Sequence, residues 1–503
     1  MLINNDLTNC SACAACAAIC SKNAITMMPD NKGFLYPQID KGACVECGKC
    51  KEICPVNQRG GYREIDYKQR IFALKAKDMD VYMRSQSGGA FSLMAQKVLA
   101  RGGIVWGAAF NADMIVTYCK VTELEELAVL KQSKYVQAKV PSEMYETIKQ
   151  DLLAGKEILF GGTACHIDGL LHYLKMFAVD TERLITCDLV CHGVPAPNVY
   201  EKFLAYIEGY SGKKVRTLCF KDKREEGKTS IIFEDGSKET SSIYMNLFYK
   251  NVLLRDKCYQ CSYANMERIS DVTVGDFWGL DTVAPDFWDS RGVSLVMTHS
   301  CRGEWLLAEV ADETELSEWR EEDCRQPNLM APTIRPKYTE RFWAELSEYG
   351  IGFVSKKYDQ NYLGDQFNYE AIENWVAYAE MGKSVADYFV ERGLRCVAVC
   401  RAGENDFADM DKNLQLLMMQ MRQAGIYVPF VLDMSAETEE ERVSVFSCDV
   451  KRMNGLTTDE VGRIDAFVVM DEKYFVDLME RLIENHVPAE KIIPFSFLTA
   501  MEV

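Results

Sequence analysis

The sequence predicts an α/β protein with α+β elements in three parts: a small cysteine-dense head, a central mixed α/β unit and a small Rossmann-like α/β unit at the end. Three observations predict it. Eight of the twenty cysteines fall within the first 54 residues. From residue 71 short apolar runs alternate with stretches of helical spacing, and after about residue 370 that alternation starts again. The expected domains are 1–60, 70–150, 151–350 and 371–503, the middle two being halves of the central unit.

A chain of 503 residues is long enough for three or four domains with their own cores. Its apolar fraction of 48% and charged fraction of 26% are those of ordinary globular proteins. The net charge of -18 offers no positive field to a phosphate backbone, and no dense Lys/Arg run exists, so nucleic-acid binding is not expected. Residues 1–7 lack a basic start followed by an apolar stretch, and no segment approaches the roughly 20 apolar residues of a membrane span. The expectation is a cytoplasmic protein without membrane insertion. In that compartment cysteines serve as ligands or buried thiols, because reducing thiol pools keep disulfides open. Five histidines are too few for a His-rich zinc or di-iron site.

In chain order, residues 1–60 are too poor in apolar runs to build a core without an inorganic filler, and Gly60-Gly61 begins a linker reaching Arg70. Strands are expected at 71–74, 104–110, 115–118, 158–160 and 184–190, with helices at 90–100, 143–153 and 167–175. An antiparallel pair follows at 215–220 and 230–233. Next come a helix at 244–254, strands near 271–275 and 293–298, and a helix near 337–349. Residues 351–370 read as a connection. Beyond it, strands at 375–379, 396–400, 427–432 and 466–470 alternate with helices at 383–392, 411–424 and 474–485, the pattern of a parallel sheet.

Cys10, Cys13, Cys16 and Cys20 are spaced C-x2-C-x2-C-x3-C, and Cys44, Cys47, Cys50 and Cys54 repeat the run with Pro55 next. Two-residue gaps let three thiolates wrap three corners of one cubane, while the fourth faces away and ligates the other cluster. The spacing therefore predicts two 4Fe-4S clusters in a ferredoxin-like head. One is held by Cys10, Cys13, Cys16 and Cys54, the other by Cys44, Cys47, Cys50 and Cys20. Paired zinc knuckles fit poorly, with every ligand a cysteine at one repeated spacing. Ser21 stands where a proline usually follows the first run, which removes no ligand.

Further cysteines lie apart: Cys165 in GGTACH, Cys191 in DLVCHGVP, and Cys258 with Cys261 in KCYQC. Spacing alone leaves them open between buried thiols and a third four-thiolate site. SQSGGAF at 85–91 places Ser87, Gly88 and Gly89 before a helix that follows a strand, where free N–H groups and the positive helix end suit a pyrophosphate. The same residues also suit a plain cap and turn. GGTACH has the same strand, glycine turn and helix layout, and could form a second wall of one site.

SQSGGAFSLMAQKVLARGGIVWGAAF, QSKYVQAKV, LFGGTACHIDGL, DLVCHGVPAP and DVTVGDFWGL, in this order over about residues 70–335, resemble the family of beta subunits of hydrogenases and dehydrogenases that act on the deazaflavin coenzyme F420. With the two-cluster head, the chain is similar to single-chain bacterial members, several of which lie among polysaccharide-biosynthesis proteins. The resemblance implies FAD and a third 4Fe-4S cluster beside it. It places Ser87, Gly88, Gly89, Lys134, Tyr135, Gln137, Gly161, Gly162 and Thr163 at the flavin. Cys165, Cys191, Cys258 and Cys261 become the third cluster's ligands. Where the family reads GTPCQ, this chain has Ala164 and His166, so the pocket beside the flavin is expected to take a different substrate. His166 and His192 each follow a proposed ligand. They are candidate proton donors or, more simply, hydrogen-bond partners of cluster sulfur or backbone.

Residues 376–389 look like a worn nucleotide-binding turn, with Gly382 flanked by Ala379 and Ser384. Without the other glycines nucleotide binding is disfavoured. This unit resembles small α/β domains appended to glycan-assembly proteins, which implies a partner or a sugar nucleotide. Cys396, Cys400 and Cys448 read as core thiols. The expected function is electron transfer between a ferredoxin or other redox protein and an organic substrate, in either direction. The alternative is a non-catalytic subunit that passes electrons to a partner enzyme.

Overall fold

The structure is a computed structural model that describes residues 7–58, 67–358, 389–401, 418, 421, 424–433, 449–452, 455–470 and 475–494. It divides into two compact units, Met1–Thr339 and Glu340–Val503. The central part is a mixed α/β fold.

In the head, β1 (Ile25–Pro29) and β2 (Leu35–Ile39) form an antiparallel hairpin with Ile25 opposite Ile39. Its turn is held by the Asp30 carboxylate, which accepts from the N–H groups of Lys32 and Phe34 at 2.9 and 2.8 Å. Short helices Ala15–Ala18 and Lys49–Glu52 carry part of each cysteine run.

The central strands are β3 (Arg70–Ala76), β4 (Ile104–Phe110), β5 (Val116–Val121), β6 (Ile158–Gly162) and β7 (Leu184–Leu189). After them come β8 (Val215–Cys219), β9 (Thr229–Phe233) and β10 (Lys238–Ser241), a separate antiparallel sheet in the order β10-β9-β8. With β11 (Val272–Asp276), β12 (Ser294–Thr298) and β13 (Thr314–Trp319), the main sheet has eight strands in the order β13-β3-β12-β11-β7-β6-β4-β5. The middle strands β11, β7, β6 and β4 run parallel. The outer neighbours are antiparallel.

Strand alternation sends side chains into two cores. Val105, Leu159 and Ile185 join the helices Ala90–Ala100 and Cys301–Ala308 on one face. Ile104, Trp106, Ile158, Phe160 and Leu184 join Met144–Leu153 and Ala164–Met176 on the other. Cys13, Ala15, Cys16, Ile19, Ile25 and Ile53 belong to that second core, so the head is packed against the sheet's helices.

In the second unit the helix Thr339–Lys357 bends at Gly350, whose φ is +79°. The expected connection at 351–370 is therefore helical over 351–357, because Phe353 and Val354 are buried and Lys357 pairs with Glu345 at 2.7 Å. Strands β14 (Val397–Arg401), β15 (Phe430–Asp433), β16 (Asp449–Arg452), β17 (Ala466–Val469) and β18 (Ile492–Pro494) make a parallel sheet in the order β16-β15-β14-β17-β18. The expected strand at 375–379, the turn with Ala379, Gly382 and Ser384, the linker glycines Gly60 and Gly61, and Cys448 lie outside the described residues. Cys400 is fully buried and Cys396 partly so. No described helix is long and apolar enough to cross a membrane.

Candidate redox site

The two cysteine runs bend in the same way. Ala12 and Ala14, set between Cys10, Cys13 and Cys16, have φ of 58° and 60°; Glu46 and Gly48 hold the equivalent places in the second run with φ of 53° and 78°. Left-handed backbone costs a non-glycine residue about 1 kcal/mol and persists only where the surroundings require it. Here it curls the chain so that backbone N–H groups face sulfur: Ala12 toward Cys10 Sγ at 3.3 Å, Glu46 toward Cys44 Sγ at 3.4 Å. Ala24 donates to Cys20 Sγ at 3.3 Å.

Burial pushes the Cys16 thiol well up, and Cys13, Cys10 and Cys54 lie close enough to add to that shift. Burial raises Cys50, whose neighbours are Cys47 and Cys20. Among the described residues no three His, Cys, Asp or Glu side chains stand close enough to share one metal ion.

Cys165, Cys191 and the pair Cys258 and Cys261, from three separate stretches of sequence, line one small cavity of about 40 Å³. The first two stand at the ends of β6 and β7. The other two come from the 3-10 turn Asp256–Gln260 and the residue after it. The helix Ala164–Met176 begins three residues earlier than expected, which puts Cys165 and His166 in its first turn. Gly193 lets the 191–194 segment meet that turn: its φ is +134°, and a β-carbon there would stand 2.8 Å from Leu254 and 3.2 Å from Cys258. Burial pushes the Cys165 thiol up to about 12 and Cys258 to about 11. Such thiols stay protonated unless a bound cation takes the proton's place, and ferrous or ferric iron does so.

A larger cavity of about 290 Å³ opens beside it, at the C-terminal ends of the parallel strands, where open α/β sheets bind ligands. Ser87, Gly89, Lys134, Tyr135, Gly161, Gly162 and Thr163 all line it. The two glycine turns meet there: a β-carbon on Gly161 would strike the Phe91 ring at 2.6 Å. Ser87, with φ of 50°, is 5% exposed, and its Oγ has no hydrogen-bond partner. Lys134 donates to the carbonyls of Val129, Lys131 and Gln132 at 2.8, 2.7 and 3.1 Å; burial pushes its ammonium down to about 7, and the three carbonyls favour the charged form against that.

Two expected flavin residues do other work. Gly88 is wedged between strands: its N–H donates to Ser294 Oγ at 2.8 Å, and a β-carbon would come 1.8 Å from the Leu74 carbonyl. Gln137 Nε2 donates to the Ser11 carbonyl at 3.3 Å and its Oε1 accepts from Arg255 at 3.0 Å, joining the head to the sheet.

His166 makes a similar junction. Its Nε2 donates to the Ser11 carbonyl at 3.2 Å while Nδ1 accepts from the Tyr118 hydroxyl at 3.0 Å, so one neutral tautomer satisfies both. Burial pushes its pKa down to about 4, which holds it neutral. The His192 ring lies between the amides of Asn328 and Asn251, at 3.2 and 2.5 Å. Thr163, His166, Cys191, His192, Gly193 and Val194 line both cavities and form the wall between them.

Residues that motif reading did not single out complete the surroundings. Arg255, 1% exposed, reaches the Cys10 and Leu35 carbonyls as well as Gln137. Asp168 accepts from the Tyr263 hydroxyl at 2.5 Å, and the His172 ring donates to the Ile53 carbonyl at 2.8 Å.

Residues 155–323 match the family model for the C terminus of the beta subunit of coenzyme F420 hydrogenase/dehydrogenase, and residues 9–58 match a 4Fe-4S dicluster domain. One F(420)H(2) dehydrogenase subunit, from Methanosarcina mazei, is 25% identical over 330 residues, covering 61% of this chain and 84% of that protein. A chain of the F420-reducing NiFe hydrogenase complex from Methanosarcina barkeri aligns with a TM-score of 0.35 at 13% identity, over 53% of this chain and 87% of that one. Over residues 155–323, behind a segment that matches a 4Fe-4S dicluster domain, the chain is thus similar to the beta subunits of coenzyme F420 hydrogenases and dehydrogenases, a likeness that points to iron–sulfur electron-transfer chemistry.

Proposed function

We propose that this chain is an iron–sulfur flavoenzyme that passes electrons between a redox protein docking at its head and an organic substrate. Cys10, Cys13, Cys16 and Cys54 hold one cluster, and Cys44, Cys47, Cys50 and Cys20 a second. Cys165, Cys191, Cys258 and Cys261 hold a third, next to an FAD in the larger cavity. The observation that carries this reading is the shared wall of Thr163, His166, Cys191, His192, Gly193 and Val194, which sets the four inner cysteines directly behind the cavity of Ser87 and Gly89.

The fit rests on this chain's own groups. The orphan Ser87 hydroxyl at the start of the helix Ala90–Ala100 suits a phosphate oxygen. Lys221, opposed by burial but held charged by the Asp276 carboxylate at 3.3 Å, keeps a cation on the cavity wall. Val194 N–H points at Cys258 Sγ at 3.4 Å and Thr163 Oγ1 lies 3.3 Å from Cys165 Sγ, contacts of the kind that set cluster potentials. Bound there, flavin and clusters together would turn single electrons into a two-electron step. The substrate is unidentified, and only the resemblance to bacterial single-chain members sets it in polysaccharide biosynthesis.

Metal and flavin analysis of anaerobically purified protein tests the reading, with about twelve irons expected from three four-iron clusters and one FAD per chain. A value near eight irons removes the inner quartet, and full clusters without flavin remove the enzyme. The relative from Methanosarcina mazei is named as a subunit, which favours a second reading, a non-catalytic electron-transfer subunit. Turnover of a small molecule by the purified chain with a reduced carrier, in the absence of any partner protein, decides between the two.

A further inference from the structure

Arg255 is among the most deeply buried large side chains of the protein, at 1% exposure, and its guanidinium has no carboxylate partner among the described residues. Its donors go to neutral acceptors: Nε to the Cys10 carbonyl, Nη1 to Gln137 Oε1 at 3.0 Å and Nη2 to the Leu35 carbonyl at 2.9 Å. Tyr36 stacks beneath it at 4.1 Å. The nearby Asp256 faces Arg335 instead, at 3.3 Å. The other buried arginine of this region, Arg268, has the ordinary arrangement, a carboxylate oxygen of Asp188 at 2.7 Å.

A buried charge without a counter-charge costs several kcal/mol, and hydrogen bonds to carbonyls recover only part of it. The missing counter-charge must come from what surrounds the guanidinium. On one side is Cys10, the first residue of the outer quartet. On the other is the inner cavity, which Arg255 lines together with Cys165 and Cys258. A cubane with four thiolates is an anion in every common oxidation state, and becomes more negative on reduction.

We propose that Arg255 is the shared counter-charge of two iron–sulfur clusters, the outer one that begins at Cys10 and the inner one of Cys165, Cys191, Cys258 and Cys261, and that it raises the reduction potential of both. This rests on the three-cluster reading above. Arg255 touches no substrate; it is a positioning residue that sets where the electron rests between head and flavin. A planar guanidinium suits the place because it holds three acceptors in fixed directions while remaining charged at any working pH.

The test is a potentiometric titration of the as-purified, cluster-loaded chain, followed by electron paramagnetic resonance, with iron counted on each sample. Arg255→Gln removes the charge. Gln137→Glu keeps the arginine and places a carboxylate against Nη1 at almost unchanged volume. Both are expected to make reduction of one or both of these clusters harder by at least tenfold, about 59 mV for a one-electron couple. Arg255→Lys should stay within about threefold of wild type by retaining the charge. If Arg255→Gln loses iron, Gln137→Glu decides alone. Full iron content with unmoved potentials in Gln137→Glu overturns the inference. An iron count near eight in wild type instead overturns the three-cluster reading on which it stands.

Discussion

Gly169 lies directly against Cys13: a β-carbon built on this helical glycine would stand 2.8 Å from both Cβ and Sγ of the cysteine and 3.0 Å from the Tyr145 hydroxyl. The contact fixes how closely the head approaches the helix Ala164–Met176, and Tyr145 seals it by donating to the Cys13 carbonyl. In an isolated helix, Gly169→Ala would gain about 1 kcal/mol from propensity. Here overpacking, worth about 1–3 kcal/mol, opposes it. The expected outcome is a lower Tm and faster proteolytic release of the head, measured by thermal melting and limited digestion. A Tm above wild type would refute the close docking.

The second prediction concerns how electrons enter. Lys22, Lys41, Lys49 and Lys51 are exposed and follow or flank Cys20 and the second run, in a chain whose net charge is -18. Val45, 61% exposed, and the exposed Cys47 stand among them. Exposed lysines steer an acidic electron carrier and act mainly on the association rate, while the exposed Asp40, Glu46 and Glu52 in the same segments offset part of that attraction. Replacing Lys41, Lys49 and Lys51 by Glu should slow reduction by an acidic ferredoxin at least tenfold at low salt and flatten its ionic-strength dependence. Stopped-flow bleaching of the clusters measures it. An unchanged salt slope would place the entry point elsewhere.

Those two sites show what was legible beforehand. Spacing singled out the eight cysteines of the head because ligand geometry is written locally there, two or three residues apart, and strand alternation found nearly every central strand. The inner four are scattered along the chain; spacing left them open between buried thiols and a third four-thiolate site, and the resemblance favoured the set. What escaped is carried by distant partners. Arg255 sits in LLRDKC, where no motif singles it out, and its acceptors Cys10, Leu35 and Gln137 are distant in sequence. Gly88 fits a phosphate-loop pattern, but its neighbours Leu74 and Ser294 use it for strand packing. Strand β10 reads KETS and is exposed along most of its length, so no apolar alternation marks it. The early start of the helix at Ala164 was hidden by small residues that favour helix and turn alike.

The third prediction isolates Ser87. Its hydroxyl is buried, lines the larger cavity and lacks a partner, while its backbone is held by Lys223, which donates to the Ser87 carbonyl. Ser87→Ala therefore removes no internal hydrogen bond from the protein. It should leave the melting temperature of flavin-free protein within about 1 °C. It should weaken FAD binding by roughly tenfold, the worth of one hydrogen bond to a charged oxygen. Fluorescence titration with FAD measures the affinity; equal affinity in both proteins would remove Ser87 from the cofactor site.

The fourth prediction is a pH dependence, and it comes from Asp168. Burial pushes this carboxyl up to about 6, although the Tyr263 hydroxyl donates to Oδ2 and pulls the other way. His172 Nε2 lies 3.5 Å from Oδ1, but burial pushes that imidazole down to about 4, so the two face each other as neutral groups near pH 5. A carboxyl raised in the folded state contributes stability that is fully present below the ordinary carboxylate range and is lost as pH rises through about 6. Above that, the folded protein carries a buried carboxylate facing an imidazole that is not charged. Asp168→Asn keeps the volume, still accepts from Tyr263, and offers His172 an N–H in place of the acid proton. Its stability relative to wild type should therefore grow by about 1 kcal/mol between pH 5 and pH 8, seen as a widening gap in urea midpoints. A gap that narrows over this range would mean that Asp168 is ionised and paired with a charged His172 at neutral pH.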